Sequence, residues 1–196
     1  MPRPGKRWRH IIINTHGSWL HGDHRGFRSR GHRIHSSGDC KRPPPRGEHA
    51  NLFKYMKQKC PNKRKIPREL RPIIGRTIVQ FFLDSRIPIL AYSGDEIHAH
   101  FLVEVGDNLA ILRKMVGDAK RKSSRAVKDQ LPGTVWSAGE EPTPVDDPEH
   151  QKNSYEYILY KQGPDAWTWS FRDGSLEGMF DRKRKKIQRK KNPGRR

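Results

Sequence analysis

The sequence predicts an α+β protein with a ferredoxin-like antiparallel sheet of the split βαβ type and two helices on one face. Three features carry this prediction. Segments with strand-like alternation and segments with helical spacing follow one another in the order β-α-β-β-α-β. The second and third strands are close enough in the chain to form a hairpin. A later helix, rich in tyrosine, is expected to lie over the other face of the sheet.

The first predicted strand is the β-branched, apolar segment 8–15, and the glycines of segment 16–23 end it. Residues 24–65 then form a long stretch of Arg, Lys, Gly, Pro and His without a clear period. A compact domain tolerates such a stretch mainly when it is functional or disordered. We expect a basic binding loop here, with one helical turn near residues 52–56.

The next part of the chain contains a helix and a hairpin. Residues 67–86 have apolar side chains at helical spacing and predict the first long helix. A strand at 87–92 follows, then a turn at Ser93-Gly94-Asp95, and then a strand at 97–105. Because the turn is short, these two strands are predicted to pair antiparallel.

The second long helix is predicted to begin at the cap residue Asp107 and to extend to about Lys128. A short strand is then expected at 134–137, and the acidic, proline-rich segment 140–148 is interpreted as a connector. A third helix is predicted from Pro148 to Gln162, where Gly163-Pro164 stops it.

The last strand is predicted at 166–171, where apolar and polar residues alternate. We therefore expect one domain over residues 1–180, with residues 24–65 as an insertion. Residues 181–196 are expected to be a basic, disordered tail.

The formal charge of +20 is the strongest compositional feature of the 196-residue chain. Residues 182–196 carry ten Lys or Arg and no acid, yet the remainder still has 31 basic against 21 acidic residues. A polyanionic partner, above all nucleic acid, follows because phosphate contacts release counterions. Ribosomal and membrane-surface proteins can also be this basic, so charge alone leaves these classes open.

The cysteine count and the hydropathy pattern limit the setting of the protein. Cys40 and Cys60 have no Cys-x-x-Cys partners, so the sequence predicts no disulfide framework and a reduced, cytoplasmic setting. No apolar region follows the basic start of the chain, and no apolar run approaches the ~18 residues of a membrane span. We therefore expect a soluble, intracellular protein.

The strand at 97–105 carries the first candidate site. Its alternation directs Ala99 and Phe101 to one face and His98 and His100 to the other. Residues two apart on a strand lie roughly 6.6 Å apart, so the two imidazoles can share one divalent metal ion. Two exposed histidines without a ligand are the alternative interpretation of this short pattern.

The third predicted helix offers a nucleophile. At about 100° per residue, Tyr155 groups with the apolar residues Ile158 and Leu159, whereas Tyr157 faces another side. A metal ion would polarise a scissile phosphate, and the phenol of Tyr157 would attack phosphorus to give a covalent phosphotyrosine. A surface or interface tyrosine is the other interpretation of Tyr157.

These motifs together resemble a known family. His98-Ala99-His100 is similar to the His-hydrophobic-His motif of the HUH single-strand nucleases, and segment 157–163 is similar to their tyrosine helix. The opening pattern Thr-x-Gly-x-Trp-Leu-x-Gly-Asp at 15–23 and the basic segment 120–125 resemble the REP-associated, insertion-sequence-like single-tyrosine transposases. The resemblance spans about residues 8–171.

The resemblance implies a ferredoxin-like fold, Mg or Mn dependence, and cleavage and joining of single-stranded DNA near a hairpin, with Tyr157 linked to a 5′ phosphate. The family often has a third metal ligand, Gln or Asn, four residues after the nucleophile. Lys161 occupies that position and cannot ligate, so Gln162 is the candidate third ligand. The metal ligands are thus expected to be His98, His100 and Gln162.

The candidate DNA contacts are an aromatic residue after the first strand and four cations of the second long helix. They are Trp19, Lys120, Arg121, Lys122 and Arg125. A solvated charged face is the alternative interpretation of these cations. A monomer and a homodimer both remain open.

Two other functions fit the same sequence. An open ferredoxin-like sheet with aromatic and basic side chains can also bind single strands without catalysis. In a third interpretation, His98 and His100 form a structural zinc site with Cys40 or Cys60.

Overall fold

The computed structural model describes residues 2–27, 34–38 and 42–181. Within them, five strands and four α-helices confirm the α+β class. The elements are β1 (Lys6–Asn14), α1 (Ala50–Lys59), α2 (Arg71–Asp84), β2 (Ile89–Gly94), β3 (His98–Gly106), α3 (Leu109–Ala126), β4 (Glu141–Val145), α4 (Pro148–Tyr160) and β5 (Trp167–Ser170).

The strands form one sheet in the order β4-β1-β3-β2-β5, and every neighbouring pair is antiparallel. Strand β3 is therefore central, with β1 on one side and β2 on the other. In this register His100 lies opposite Ile12 of β1 and opposite Ser93 of β2. Strand β2 extends to Gly94, two residues further than predicted, which places Ser93 in the sheet beside His100.

The main core lies between one face of the sheet and helices α2 and α3. Ala99, Phe101 and Val103 of β3 are completely buried in it. Its helical residues are Ile74, Ile78 and Phe82 of α2 with Leu112, Val116 and Ala119 of α3. The period-two alternation therefore assigned the apolar face of β3 correctly.

Helix α4 covers part of the other face. Its residues Ile158 and Leu159 pack with Leu102 of β3 in a second, smaller apolar cluster, which also contains Trp8, Ala91 and Val145. The Asp147 side chain accepts a hydrogen bond from His150 N, and Pro148 occupies the first turn, which explains why the helix begins there. This helix carries the tyrosines over the sheet face opposite the main core.

The fourth strand lies where we expected a connector. Segment 134–137 forms only an isolated bridge, between Trp136 and Thr15, and β4 instead comprises Glu141–Val145. Its two prolines argued against a strand, but β4 is an edge strand that pairs with β1 alone. At an edge, a residue without an N–H can face solvent without losing a ladder hydrogen bond.

Two other boundaries differ from the expectations. Asn108, rather than Asp107, caps α3: its side chain accepts hydrogen bonds from Ala110 N and Ile111 N. The basic segment 24–65 contains the ten-residue helix α1 instead of a single turn, although none of its residues is buried. Residues 182–196, most of the predicted tail, lie outside the described residues.

None of the helices within residues 2–27, 34–38 and 42–181 combines the length and the apolarity needed to cross a membrane.

Candidate functional site

The two histidines of β3 lie side by side on the face away from the main core. Their ring centroids are 4.8 Å apart, and the ring planes are nearly perpendicular. His100 is only 5% exposed, whereas His98 is half-buried at the start of the strand. The structure therefore brings both predicted metal ligands to one place.

Tyr157 lies against this pair. Its ring meets His100 edge-on, with the centroids 5.7 Å apart and an interplanar angle of 80°. The side chain is 46% exposed, and its hydroxyl has no hydrogen-bond partner among the described residues. Tyr155 instead shares a 2.6 Å hydrogen bond with Ser170 of β5. Of these two tyrosines, Tyr157 is the one whose ring contacts His100 and whose hydroxyl has no hydrogen-bond partner among the described residues.

A third histidine, His10 of β1, completes the cluster and was missed by sequence reasoning. Its Nε2 lies 3.0 Å from Nδ1 of His100, and its ring centroid lies 6.0 Å from that of Tyr157. Residue 10 has the same strand parity as Trp8 and Ile12, so alternation alone could have placed its side chain on this face. Its contact with His100 depends on the pairing of β1 with β3, which the local sequence does not encode.

Burial keeps the inner two rings neutral. It lowers the pKa of His100 well below the usual value, and the neighbouring His98 and His10 lower it further. Burial, with a smaller contribution from His150, lowers the pKa of His10 to about 4. A neutral imidazole keeps one nitrogen lone pair, so at neutral pH His100 can accept a hydrogen bond or bind a metal ion through that nitrogen.

The donor atoms around the pair suit a divalent cation. Neutral imidazoles are common ligands of divalent transition metals. The Ser93 hydroxyl, beside His100 in the sheet, is buried and has no hydrogen-bond partner among the described residues. Across residues 2–27, 34–38 and 42–181, no group of three or more His, Cys, Asp or Glu side chains is arranged to hold a metal. Any further ligands would therefore come from amides, hydroxyls, water or phosphate.

The candidate third ligand, Gln162, lies just beyond the end of α4. It is 6% exposed, and its Nε2 donates a 3.3 Å hydrogen bond to the Tyr157 carbonyl oxygen. This bond leaves Oε1 as the atom that could ligate. Lys161 is exposed at the C-cap position.

Trp19 lies in the loop that leaves β1 at the His98 end of β3. Thr15 N donates to the Ile97 carbonyl oxygen, which joins the start of this loop to β3. The Trp19 ring is 38% exposed, and the Arg25 guanidinium lies 4.2 Å from its centroid. Arg25 is in turn held by both carboxylate oxygens of Asp23. The loop thus holds a partly exposed aromatic side chain stacked with Arg25, and its first residue is bonded to Ile97.

The four cations of α3 are not part of this cluster, because α3 packs on the opposite face of the sheet. Arg121, Lys122 and Arg125 are exposed there. Lys120 is 8% exposed, and its ammonium donates to the carbonyl oxygens of Ser137 and Gly139. Lys120 is therefore committed to internal contacts, unlike its three neighbours.

Cys60 does not join the histidine pair. Its Sγ lies 3.2 Å from Nε2 of His16, and Cys60 is not part of a disulfide. In the described part of the chain, a zinc site that combines His98, His100 and Cys60 is not formed. Cys40, the other cysteine considered for that site, lies outside the described residues.

The chain was compared with protein-family models, curated proteins and solved structures. No protein-family model and no curated protein matches the chain. A solved structure of a REP-associated tyrosine transposase bound to a REP hairpin aligns with a TM-score of 0.42 and 11% identity, over 81% of this chain and 67% of that chain. The function is therefore inferred from the residues of this chain.

Proposed function

We propose that the protein is a metal-dependent, single-tyrosine DNA nuclease and transposase of the HUH type, which cleaves and rejoins single-stranded DNA. The observation that carries this proposal is the edge-on contact of Tyr157 with His100, on the same sheet face as His98. A half-exposed phenol without a protein partner, beside neutral imidazoles, is the arrangement that covalent attack on a phosphodiester needs.

The ferredoxin-like topology belongs to the same proposal. The order β4-β1-β3-β2 with all neighbours antiparallel supports a split βαβ arrangement, to which β5 adds an edge strand beside β2. The face opposite α2 and α3 then presents the histidines, and α4 lies across part of that face.

His98 and His100 would hold a Mg or Mn ion, with the Gln162 amide oxygen as a candidate third ligand. The bound ion would supply Lewis-acid polarisation of the scissile phosphate. Water and a phosphate oxygen would complete the coordination, because oxygen ligands suit these metals. The buried Ser93 hydroxyl beside His100 is available to donate to one of these oxygens.

Tyr157 would carry out the covalent step. Its phenol oxygen attacks phosphorus and loses its proton to solvent, a Tyr–O–P bond forms, and the P–O3′ bond breaks. The departing 3′ oxygen takes up a proton. The 5′ phosphate remains on Tyr157, so a 3′ hydroxyl of the same or another strand can reverse the reaction and rejoin DNA.

The substrate class follows from charge and aromatic exposure. The chain carries a surplus of 20 positive charges, which favours a polyphosphate backbone. The Trp19 ring lies in the loop bonded to Ile97, next to His98, and base stacking on aromatic rings is how proteins bind unpaired strands. Single-stranded DNA is therefore the proposed substrate, and the resemblance of the motifs to the REP-associated transposases adds a neighbouring hairpin to the proposal.

The test is a covalent adduct assay with labelled hairpin DNA and Mn²⁺. Wild type should give an adduct that survives denaturation, and Tyr157→Phe and His98→Ala should abolish it. Tyr155→Phe is the matched control. It also removes a tyrosine hydroxyl from α4, but that hydroxyl is hydrogen-bonded to Ser170. An adduct that persists in Tyr157→Phe would refute the assignment of the nucleophile.

A non-catalytic single-strand-binding module is the second candidate. The Trp19 ring with its Arg25 contact favours it, since this surface can stack a base without any chemistry. In that case, His98→Ala and Tyr157→Phe would leave DNA affinity nearly unchanged, and chelation of metal would have no effect on it. Trp19→Ala would lower the affinity under either function, so it does not discriminate between them.

A further inference from the structure

The contact between His10 and His100 is a diagonal one across two strands. His10 pairs in register with Leu102, and Ile12 pairs with His100, so the His10 ring leans along the strands to reach its partner. The 3.0 Å separation between His10 Nε2 and His100 Nδ1 is a hydrogen-bond distance. One of the two nitrogens must therefore carry the proton.

The position of that proton decides what His100 can do. A neutral imidazole has one N–H and one lone pair. If His10 donated, His100 would carry its own proton on Nε2, and that nitrogen could not bind a metal. If His100 donates from Nδ1, its Nε2 lone pair is free. Histidines that bind metals almost always donate their other N–H to a partner in this way.

We propose that His10 is a positioning residue: its Nε2 accepts the Nδ1–H of His100 and thereby keeps the Nε2 lone pair of His100 free for the divalent cation. The binding of a cation rests on the proposed function, whereas the position of the proton on Nδ1 of His100 does not. His10 also packs against the Tyr157 ring, with centroids 6.0 Å apart, so one side chain supports both the ligand and the nucleophile.

Coordination of one metal ion by both His10 and His100 is the competing explanation of the short distance between their nitrogens. In the described residues, however, no three His, Cys, Asp or Glu side chains are arranged around one ion, although His10, His98 and His100 are neighbours. That arrangement favours a hydrogen bond from His100 over a three-histidine metal site.

The first experiment locates the proton directly. Long-range proton–nitrogen NMR of histidine-labelled protein, without metal and with Zn²⁺ as a diamagnetic probe, reports which ring nitrogens are protonated. We expect the proton on Nδ1 of His100, with a coupling across the hydrogen bond to Nε2 of His10. A proton on Nε2 of His10 in the Zn²⁺-bound protein, or Zn²⁺ bound directly to His10, would overturn the proposal.

The second experiment measures Mn²⁺ affinity by electron paramagnetic resonance. His10→Phe keeps a ring but removes the acceptor, and loss of such a partner typically weakens metal binding by about 10–100-fold. His10→Gln offers an amide oxygen to the same N–H and should restore most of the affinity. His24→Phe, which removes an exposed histidine, is the control for weak surface binding. Unchanged affinity in His10→Phe would overturn the proposal.

The two proposals fail separately. Wild type that shows the expected proton position and Mn²⁺ affinity, yet forms no covalent DNA adduct, would refute the nuclease function and leave the role of His10 intact. A Tyr157-dependent adduct together with the reversed proton position would refute only the role of His10. If His10→Phe does not fold, the wild-type NMR spectrum and His10→Gln still decide the question.

Discussion

Lys120 offers the sharpest test of how this fold uses its positive charge. Its Nζ donates to the carbonyl oxygens of Ser137 and Gly139 and lies 3.9 Å from the carboxylate of Glu140, and both ionic side chains are buried. Burial lowers the pKa of Lys120, while Glu140 opposes that change. We therefore expect Lys120 to stabilise the segment before β4 rather than to contact DNA.

The expected loss on Lys120→Met follows from these contacts. Removing one partner of a buried ion pair costs about 3–5 kcal/mol, because the other charge is left uncompensated. Arg113 also lies 3.6 Å from Glu140 and remains as a counterion, so we expect the lower end, about 3 kcal/mol. For a chain of this length each 1 kcal/mol shifts Tm by about 2–4 °C, which gives about 6–12 °C.

Arg121→Met provides the matched control. Arg121 is exposed on the same helix and pairs with Asp118 at the surface, so its loss should change stability by no more than about 0.5 kcal/mol. Thermal and urea unfolding measure this difference. The salt dependence of single-stranded DNA binding is the second readout: its slope should be unchanged in Lys120→Met, and should fall by about 1 in Arg121→Met if Arg121 contacts a phosphate.

If Lys120→Met costs less than about 1 kcal/mol and also lowers the salt slope, Lys120 contacts phosphate and does not stabilise the segment before β4. A double variant with Glu140→Gln provides a further check. It should recover part of the lost stability, since it removes the carboxylate that Lys120 no longer neutralises. Additive losses would mean that the two side chains do not interact.

Two further predictions concern stability. Gly75→Ala should destabilise the protein by about 1–3 kcal/mol in thermal unfolding, because the new Cβ would lie 2.1 Å from the buried Trp167 ring. At Gly117 of α3 an added Cβ would meet only the Arg121 guanidinium, at 3.9 Å, so Gly117→Ala should be stabilising by about 0.4–1 kcal/mol. Equal changes in stability for the two variants would contradict the tight contact at Gly75. Burial alone would raise the pKa of Asp23, but hydrogen bonds from Arg25 outweigh it and hold that pKa below the usual value. Asp23 should thus stabilise its loop above about pH 4, with loss as the pH falls through its lowered pKa. In Asp23→Asn, Trp19 fluorescence should lose this acid transition, and an unchanged transition would exclude Asp23 as its source.

The α+β class, the β2–β3 hairpin and the faces of β3 and α4 could be predicted because each depends on local periodicity. Alternation along β3 separates His98 and His100 from Phe101, whichever strands lie beside them. Helical spacing likewise separates Tyr157 from Ile158. The DNA-binding and metal-binding roles of these residues remain predictions.

For Lys120, residue type and helical spacing favour different environments. Lysine is rarely buried, so its place in a basic run favoured a surface role. Its spacing gave the opposite signal, since it lies four residues after Val116 on the inward side of α3. The carbonyl oxygens that accept its hydrogen bonds come from the segment beyond the helix, and only the packed chain brings them there.

The sequence by itself determined which side chains share a face of one element, since that depends on the backbone repeat of the element alone. Only the tertiary structure decided which elements are neighbours. It made the proline-containing β4 an edge strand, placed His10 against His100, and brought Tyr157 to the same histidine. Those contacts join residues that are 57, 90 and more than 125 positions apart in the chain. They depend on strand order and register, which are set by the burial of the whole core.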